Sequence, residues 1–367
     1  MTAPSPSAGT VVREATPADL ADVARLLSAR DEHPRTPAIV GKYLWALDSA
    51  HTCTWLAYVG DRPVGITMLY LRDMAWPGGG SAEPATLRAG YWSHLFVEPE
   101  FRRQMVYPQL VFAMLRGMAA HGISIIYTAT RQPQVAEGHQ KLGFALVGTL
   151  PLRLRPLRPF RLLAKHKGIK LPGPLIGLLD TTARPFIKRR QNSAVEVAEI
   201  SLADPRIEGV VALLNGRGDD KVCHAWTAEE FRRRFATTLD GTAYRVLAAM
   251  RTGRVVAALV TVLIERGNNI KAGVVITLAA AREATTNEVT TLLAAAETWA
   301  LQNEAELMLA LDASLKLPPL TGAKGKYLST DSESYHLLVY PKKFAQAPYA
   351  AAELENWVFD YADHDAF

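Results

Sequence analysis

Cysteine is nearly absent from this 367-residue chain: there are two, Cys53 and Cys223, far apart in sequence. Two distant cysteines make no disulfide framework, so a reducing, cytoplasmic setting is expected. No apolar run of about 18 residues occurs, so no transmembrane helix is expected. Residues 1–10 lack the basic and apolar blocks of a signal peptide and are expected to form a flexible tail. Acid is missing from one stretch in particular. Between Arg153 and Arg190 eleven arginines and lysines face a single acid, Asp180, a net +10 in a chain whose total is +5. The positive balance belongs to that segment and not to a basic fold, so nucleic acid is not an expected partner. In "LRLRPLRPFRLL" Leu and Phe alternate with Arg, a pattern suited to an interfacial anchor. An acidic carrier protein or an anionic membrane surface is the partner expected there, which would make the protein peripheral at the membrane.

What is present is a repeated order of elements. Length alone favours two domains, and 49% apolar residues allow each a real core. "TVVREATPADLADVARLL" reads as a strand followed by a helix, with Thr16-Pro17 starting the helix. "HTCTWLAYVGDRPVGITMLYLRD" reads as a hairpin turning at Gly60–Pro63. "YWSHLFV" is a strand, "PQLVFAMLRGMAAHG" a helix, "ISIIYTAT" a strand, "PQVAEGHQKLGF" a short helix and "ALVGTLPLRL" a strand. Prolines then break residues 156–192 into short helical pieces, a basic connector. After it the order returns: the strand "AVEVAEISL", helices including one capped by Thr227 and Glu230, a hairpin at Thr252-Gly253, a strand, a long helix and two strands. The boundaries read are 11–155, 156–192, 193–345 and a terminal tail, 346–367.

The stretch "FVEPEFRRQMVYPQL", residues 96–110, has a strand before it, an arginine pair inside it and a helix after it. That is the layout of a phosphate-holding loop, because the first amides of a helix are free donors at its positive end. It contains no glycine, the residue that lets phosphate approach a backbone closely.

Three stretches together resemble the GCN5-related N-acetyltransferase (GNAT) superfamily. "VREATPADLADVARLL" resembles its opening strand and helix. "LFVEPEFRRQMVYPQLVFAML" resembles its acyl-CoA motif, V-x-P-x-x-R-x-x-G-x-G/A. "VAEGHQKLGFALVGTL" resembles its closing helix and strand. The second half resembles a diverged second copy by element order. The resemblance implies an α+β (mixed α/β) fold of two tandem GNAT-like domains, each a mostly antiparallel sheet flanked by helices. It also implies transfer of an acyl group from acetyl-CoA or another acyl-CoA to a small-molecule or peptide amine. A carrier-bound acyl-phosphopantetheine is an alternative donor. So are a catalytically degenerate binding scaffold, and altered chemistry on a thioester, as alternative functions. No metal is expected.

Carried over by position, the resemblance assigns Phe96 and Val97 to the strand backbone that holds the pantetheine arm. It assigns Arg102, Arg103, Gln104, Met105, Val106 and Tyr107 to the phosphate loop. Met105 and Tyr107 stand at the small-residue positions, and Arg102, Arg103 and Gln104 are expected to supply side-chain contacts instead. His139 stands where the family often has a tyrosine acid. Tyr127 is a second candidate acid. Ser93 and Tyr91 occupy the positions of the general base. His94 is chemically better but alternates to the other face unless a bulge shifts the register. Glu98 is expected to be solvated. Cys223-His224 and Asp363-His364-Asp365 are expected to be structural or surface features rather than metal sites.

Overall fold

The computed structural model describes residues 9–31, 34–43, 47–76, 85–170, 172–187, 189, 191–218, 221–236, 242–312, 327–341 and 353–363. Lys188, Arg190, His364 and Asp365, singled out above, lie outside these residues. The described chain forms a mixed α/β structure on one large, mostly antiparallel sheet. Its strands are β1 (Thr10–Glu14), β2 (Thr52–Val59), β3 (Arg62–Trp76), β4 (Ala85–Val97), β5 (Ile125–Thr130), β6 (Ala145–Pro156), β7 (Glu196–Ile200), β8 (Cys223–His224), β9 (Arg245–Arg251), β10 (Arg254–Arg266), β11 (Ile270–Ala280), β12 (Leu307–Leu311) and β13 (Leu328–Tyr340). Its helices are α1 (Leu20–Asp31), α2 (Pro37–Tyr43), α3 (Val106–Gly117), α4 (Pro133–Lys141), α5 (Pro159–Lys167), α6 (Gly173–Ile187), α7 (Ile207–Asn215), α8 (Ala228–Arg234) and α9 (Thr286–Gln302). No described helix is long and apolar enough to cross a membrane.

Along the sheet the order is β1-β2-β3-β4-β5-β13-β6-β12-β11-β10-β9-β7, with β8 paired to β3. Read from either edge, five strands lead to a central pair, β13 and β6. The parallel strand pairs are β4 with β5 and β11 with β12, at matching places in this order. Each half sends its last strand across the middle. β6 pairs with β12 and β13, both from the second half, and β13 pairs with β5 and β6, both from the first. Their inward side chains, Leu150, Leu152, Tyr335 and Leu337, share one buried cluster. The connector helices α5 and α6 pack on each other. α6 runs through Pro185 close to its C-terminal end, so the proline does not end it as expected.

Alternation along the strands sorts the first half into two layers. Val23, Leu26 and Leu27 of α1 pack with Leu56, Ile66 and Met68 on one face. Leu110, Val111 and Met114 of α3 pack with Trp55, Leu69 and Trp92 on the other. Residues 353–363 are not a solvated tail. Trp357, Phe359, Tyr361 and Asp363 are buried, and the segment bridges to Val222 and bonds Ile276 O through Ala362 N at 3.2 Å. Trp357, Phe359 and Tyr361 explain this: each has a large apolar surface to remove from water.

Candidate active site

The site begins with a fault in a β-ladder. β3 and β4 pair as Ile66 with Phe96 and as Met68 with Ser93, so two β4 residues stand opposite Thr67. This is a bulge, and His94 sits in it with φ +52°. Simple alternation would place His94 on the face of Trp92. The bulge turns it to the face of Tyr91, where its ring meets Tyr70. The parallel pairing of β4 with β5 ends at Tyr91 and Tyr127. At the next position a side chain replaces the ladder: Thr128 Oγ1 donates to Trp92 O at 3.0 Å. From there β4 and β5 splay, and Phe96 and Val97 lie on the diverging arm.

β4 delivers the chain to the loop. Glu98, expected to be solvated, is buried and held by two guanidinium groups. Arg25 reaches its Oε1 at 2.5 Å and Arg62 its Oε2 at 2.6 Å. A carboxylate can be buried when both oxygens are paired in this way. Arg102 Nε donates to Val97 O at 3.1 Å, so part of that guanidinium braces the loop. Arg103 and Gln104 are exposed. Met105 precedes α3 with φ +59° and ψ +18°, a left-handed conformation, and its side chain is 65% exposed. It keeps the backbone shape that a glycine would adopt without strain. Its side chain provides no cap, and Pro108 brings no N–H, so the first-turn donors of α3 are the amides of Val106 and Tyr107. Tyr107 is half-buried among the apolar residues under α3. Burial raises its hydroxyl pKa.

Replacing Met105 by glycine removes the left-handed strain. We expect Met105→Gly to raise stability by about 1 kcal/mol at most, the left-handed penalty less glycine's added chain entropy. Met105→Val, branched at Cβ, should lower it. Thermal melts of the two variants check both signs.

His139 lies on α4, 4% exposed. Its ring stacks on Trp92 at 4.3 Å and on Phe144 at 5.5 Å between centroids. Neither ring nitrogen has a hydrogen-bond partner among the described residues. Burial pushes its pKa down to about 4, so the imidazole is neutral at pH 7. Such an orphaned polar ring costs folding energy. Trp92 is itself fixed, its Nε1 donating to Thr67 Oγ1 at 2.7 Å.

His94 lies on the opposite face. Arg30 Nη1 approaches its Nδ1 at 2.6 Å, and Tyr70 Oη its Nε2 at 2.9 Å. A guanidinium only donates, so Nδ1 accepts and Nε2–H points to Tyr70. Ser93 is half-buried beside the bulge. Tyr91 and Tyr127 pack with ring centroids 5.2 Å apart and planes tilted by 55°, and Arg72 lies over Tyr91 and donates to Tyr127 Oη at 3.1 Å. Arg72 also donates to Asp363 O at 2.7 Å, which ties this face to the chain's end. Tyr127 is fully buried against Trp357 and Phe359, on the other face from His139. Thus the bulge collects His94, Tyr91 and Tyr127 on one face, and His139 stands across the sheet. Sequence reasoning missed Arg30, Tyr70 and Arg72. They lie far away in the chain, and no local spacing links them to the loop.

Beyond them sits a second buried polar group. His224 stacks on Trp226 at 3.9 Å, and its Nδ1 lies 3.8 Å from Asp363 Oδ1. Burial drives both toward neutrality, His224 down to about 4 and Asp363 up to about 7. Neither cysteine forms a disulfide, and Cys223-His224 make the short strand β8 beside Met74 and Ala75.

In the second half the matching strand β11 also breaks register, between its partners Val260 and Thr261. The following helix differs. α9 is capped by Thr285, whose side chain and backbone engage Glu288, and Arg251 clamps that carboxylate at 2.8 and 2.5 Å. These contacts hold the Glu288 pKa down to about 2. The chain's own anion already occupies this helix N-terminus. Thr277 Oγ1 donates to Asp360 at 2.5 Å, and Arg217 pairs with Asp360 at 2.7 Å, so the end of the chain lies against β11.

Residues 20–144 match the acetyltransferase (GNAT) family model. No curated protein sequence matches the chain. Among solved structures, a conserved protein from Enterococcus faecalis V583 described as a probable N-acyltransferase aligns with TM-score 0.61 at 9% identity, covering 92% of this chain and 74% of that one. Saccharomyces cerevisiae N-myristoyltransferase with bound myristoyl-CoA aligns with TM-score 0.61 at 15% identity, covering 92% and 84%. A GCN5-related N-acetyltransferase from Anabaena variabilis ATCC 29413 aligns with TM-score 0.61 at 10% identity, covering 90% and 72%. At such identities the likeness is one of fold.

Proposed function

We infer that this chain, whose residues 20–144 form a domain of the acetyltransferase (GNAT) family, is an acyltransferase that moves an acyl group from acyl-CoA to an amine. The observation that carries the reading is the contrast between the two helix N-termini. α3 follows a bulged, splayed strand and keeps uncapped amides behind a left-handed Met105. α9 follows a bulged strand too, but Thr285 and Glu288 fill its first turn. The donor therefore belongs to the first half. The second half, which we read as a diverged copy of the same fold, shapes the acceptor side. The reading carries a cytoplasmic location with it.

In this mechanism the diverging backbone of β4 at Phe96 and Val97 holds the thioester arm in the position of a missing strand. The amides of Val106 and Tyr107 take the pyrophosphate, with Arg103 and Gln104 at its rim. The amine attacks the thioester carbon from the face of Tyr91. Its N–H is oriented by Tyr70 Oη, which accepts from His94 Nε2–H and is held in place through Arg30; the proton the amine loses passes through solvent to the thiolate that leaves. As the carbon–sulfur bond breaks, His139 offers one N–H to the departing sulfur. A neutral imidazole is a poor acid but a good hydrogen-bond donor in an apolar wall.

Calorimetric titration with acetyl-CoA and longer acyl-CoAs tests the reading. We expect one site per chain, weakened by Arg103→Glu and unchanged by Glu288→Gln. Absence of heat at about 1 mM ligand, a limit near −4 kcal/mol of binding energy, would sink it.

A further inference from the structure

The basic connector folds into a hairpin of α5 and α6 whose charges divide into two sets. One set is used inside the protein. Lys165 pairs with Glu306 at 2.9 Å, Arg189 with Glu297 at 2.8 Å, and Arg158 Nη2 donates to Leu301 O at 2.9 Å. Just before the connector, Arg153 pairs with Asp312 at 2.8 Å and Arg155 with Glu297 at 3.1 Å. The other set is Arg161, Lys167, Lys170 and Arg184, which make no hydrogen bond or ion pair to described residues. Asp180, the only acid of the connector, is half-buried, accepts the Phe160 amide at 2.9 Å and lines the groove between the helices, where three arginines outnumber it. The hairpin surface is therefore strongly basic in balance.

The same surface is apolar to an unusual degree. Five of the ten exposed large apolar side chains among the described residues are Phe160, Leu163, Ile169, Leu175 and Leu178. Leu178 is 62% exposed and Leu163 50%. Phe160, Leu163 and Lys167 recur at helical spacing on α5, and Leu175 and Leu178 on α6. Ile169 stands at the tip between Lys167 and Lys170. Between the helices runs a groove of about 190 Å³ lined by Arg158, Arg161, Arg184 and Thr181, with Asp180 on its wall. Apolar side chains flanked by lysine and arginine, above an arginine groove, complement a bilayer interface: acyl boundary, then headgroup phosphate. An acidic soluble protein would complement the charges and leave the five apolar side chains without a reason.

The strand directions say what lies nearby. β4 is parallel to β5, β5 is antiparallel to β13, and β13 is antiparallel to β6. β6 thus runs the same way as β4, and the hairpin leaves the sheet at the end where β4 enters the loop before α3. We propose that the α5–α6 hairpin docks the protein on anionic lipid, with lipid phosphate in the Arg158–Arg161–Arg184 groove, and holds that end of the sheet at the membrane surface. The proposal stands whether or not the protein transfers acyl groups.

Sedimentation of the full-length protein with phosphatidylcholine vesicles, with and without phosphatidylglycerol, tests it. Binding is expected only to the anionic vesicles, and to fall with salt. Reversing Arg161, Lys167, Lys170 and Arg184 to Glu should abolish it, each charge being worth about fivefold. Leu175→Ser with Leu178→Ser should weaken it with all charges intact. These residues are at the surface, so unchanged thermal melts are expected to accompany both losses. Equal binding to neutral and anionic vesicles, anionic binding that survives the reversals, or no binding to the anionic vesicles overturns the proposal.

Discussion

Replacing His139 by leucine should make the protein more stable and lower its turnover. The two effects have one cause. The imidazole is buried between Trp92 and Phe144 with both nitrogens unpartnered among the described residues. Removing an unsatisfied polar group from such a place is worth about 1–3 kcal/mol, and leucine has nearly the volume of histidine. Turnover should fall by about 10²-fold or more, because the departing sulfur loses its donor. A pH series separates this from repacking. The folded pKa is about 4 against 6.5 for the free side chain, so the unfolded chain takes up the proton first. Above pH 6.5 His139 adds no pH dependence. As pH falls from 6.5 to 4 the folded state loses about 3 kcal/mol on its account. His139→Leu should remove that loss and leave what His224 contributes in the same range. Asp363 works in the opposite direction in both proteins. Its pKa is raised to about 7, so the folded state gains relative stability as pH falls from 7 toward 4. Chemical denaturation at pH 7 and pH 4.5 reads the difference. A variant that is stabilised yet fully active would make His139 a core residue and nothing more.

This divided behaviour marks what the sequence could convey. The strand-loop-helix layout at residues 96–117 was legible because its signals are local: alternation, a proline frame and a helical stripe. So were the hairpin at Thr252-Gly253 and the cap of α8, which appear where expected. The family match over residues 20–144 and the mixed α/β fold agree with the resemblance read from three short stretches. What was not legible depends on distance. Glu98 looked solvated because nothing near it announces Arg25 and Arg62, which come from other elements. Asp363 was read as a feature of a terminal tail because a sequence window cannot show Arg72, which bonds its backbone carbonyl from β3. The left-handed state of Met105 was hidden for another reason. Residue type suggests glycine at such an angle, and here the loop on either side, pinned by Glu98 and by α3, imposes the angle on methionine.

The exchange of β6 and β13 was beyond any reading of element order, and it yields the other large effect. Neither half should fold alone. In residues 1–158, β6 has no strand neighbour, since both its partners, β12 and β13, come later in the chain. In residues 159–367, β13 has none, since it lies between β5 and β6. Each fragment would expose one wall of the cluster holding Leu150, Leu152, Tyr335 and Leu337. At about 1.5–3 kcal/mol for each large side chain, the two in each fragment amount to roughly 3–6 kcal/mol. With the lost ladders added, that is a large share of the stability of an ordinary domain, about 5–15 kcal/mol. Expressed separately, each fragment should be aggregated or lack a cooperative melt. Expressed together, they should assemble into a one-to-one complex that melts as a unit, because the cut falls in the turn between β6 and α5 and removes no ladder. A monomeric first fragment melting near the temperature of the intact chain would show that β6 can take the place of β13. The central pair would then join two independent sheets. If neither fragment folds alone, the cleft between β4 and β5 that we propose for the donor depends on the second half by construction: β5 is held in place by β13.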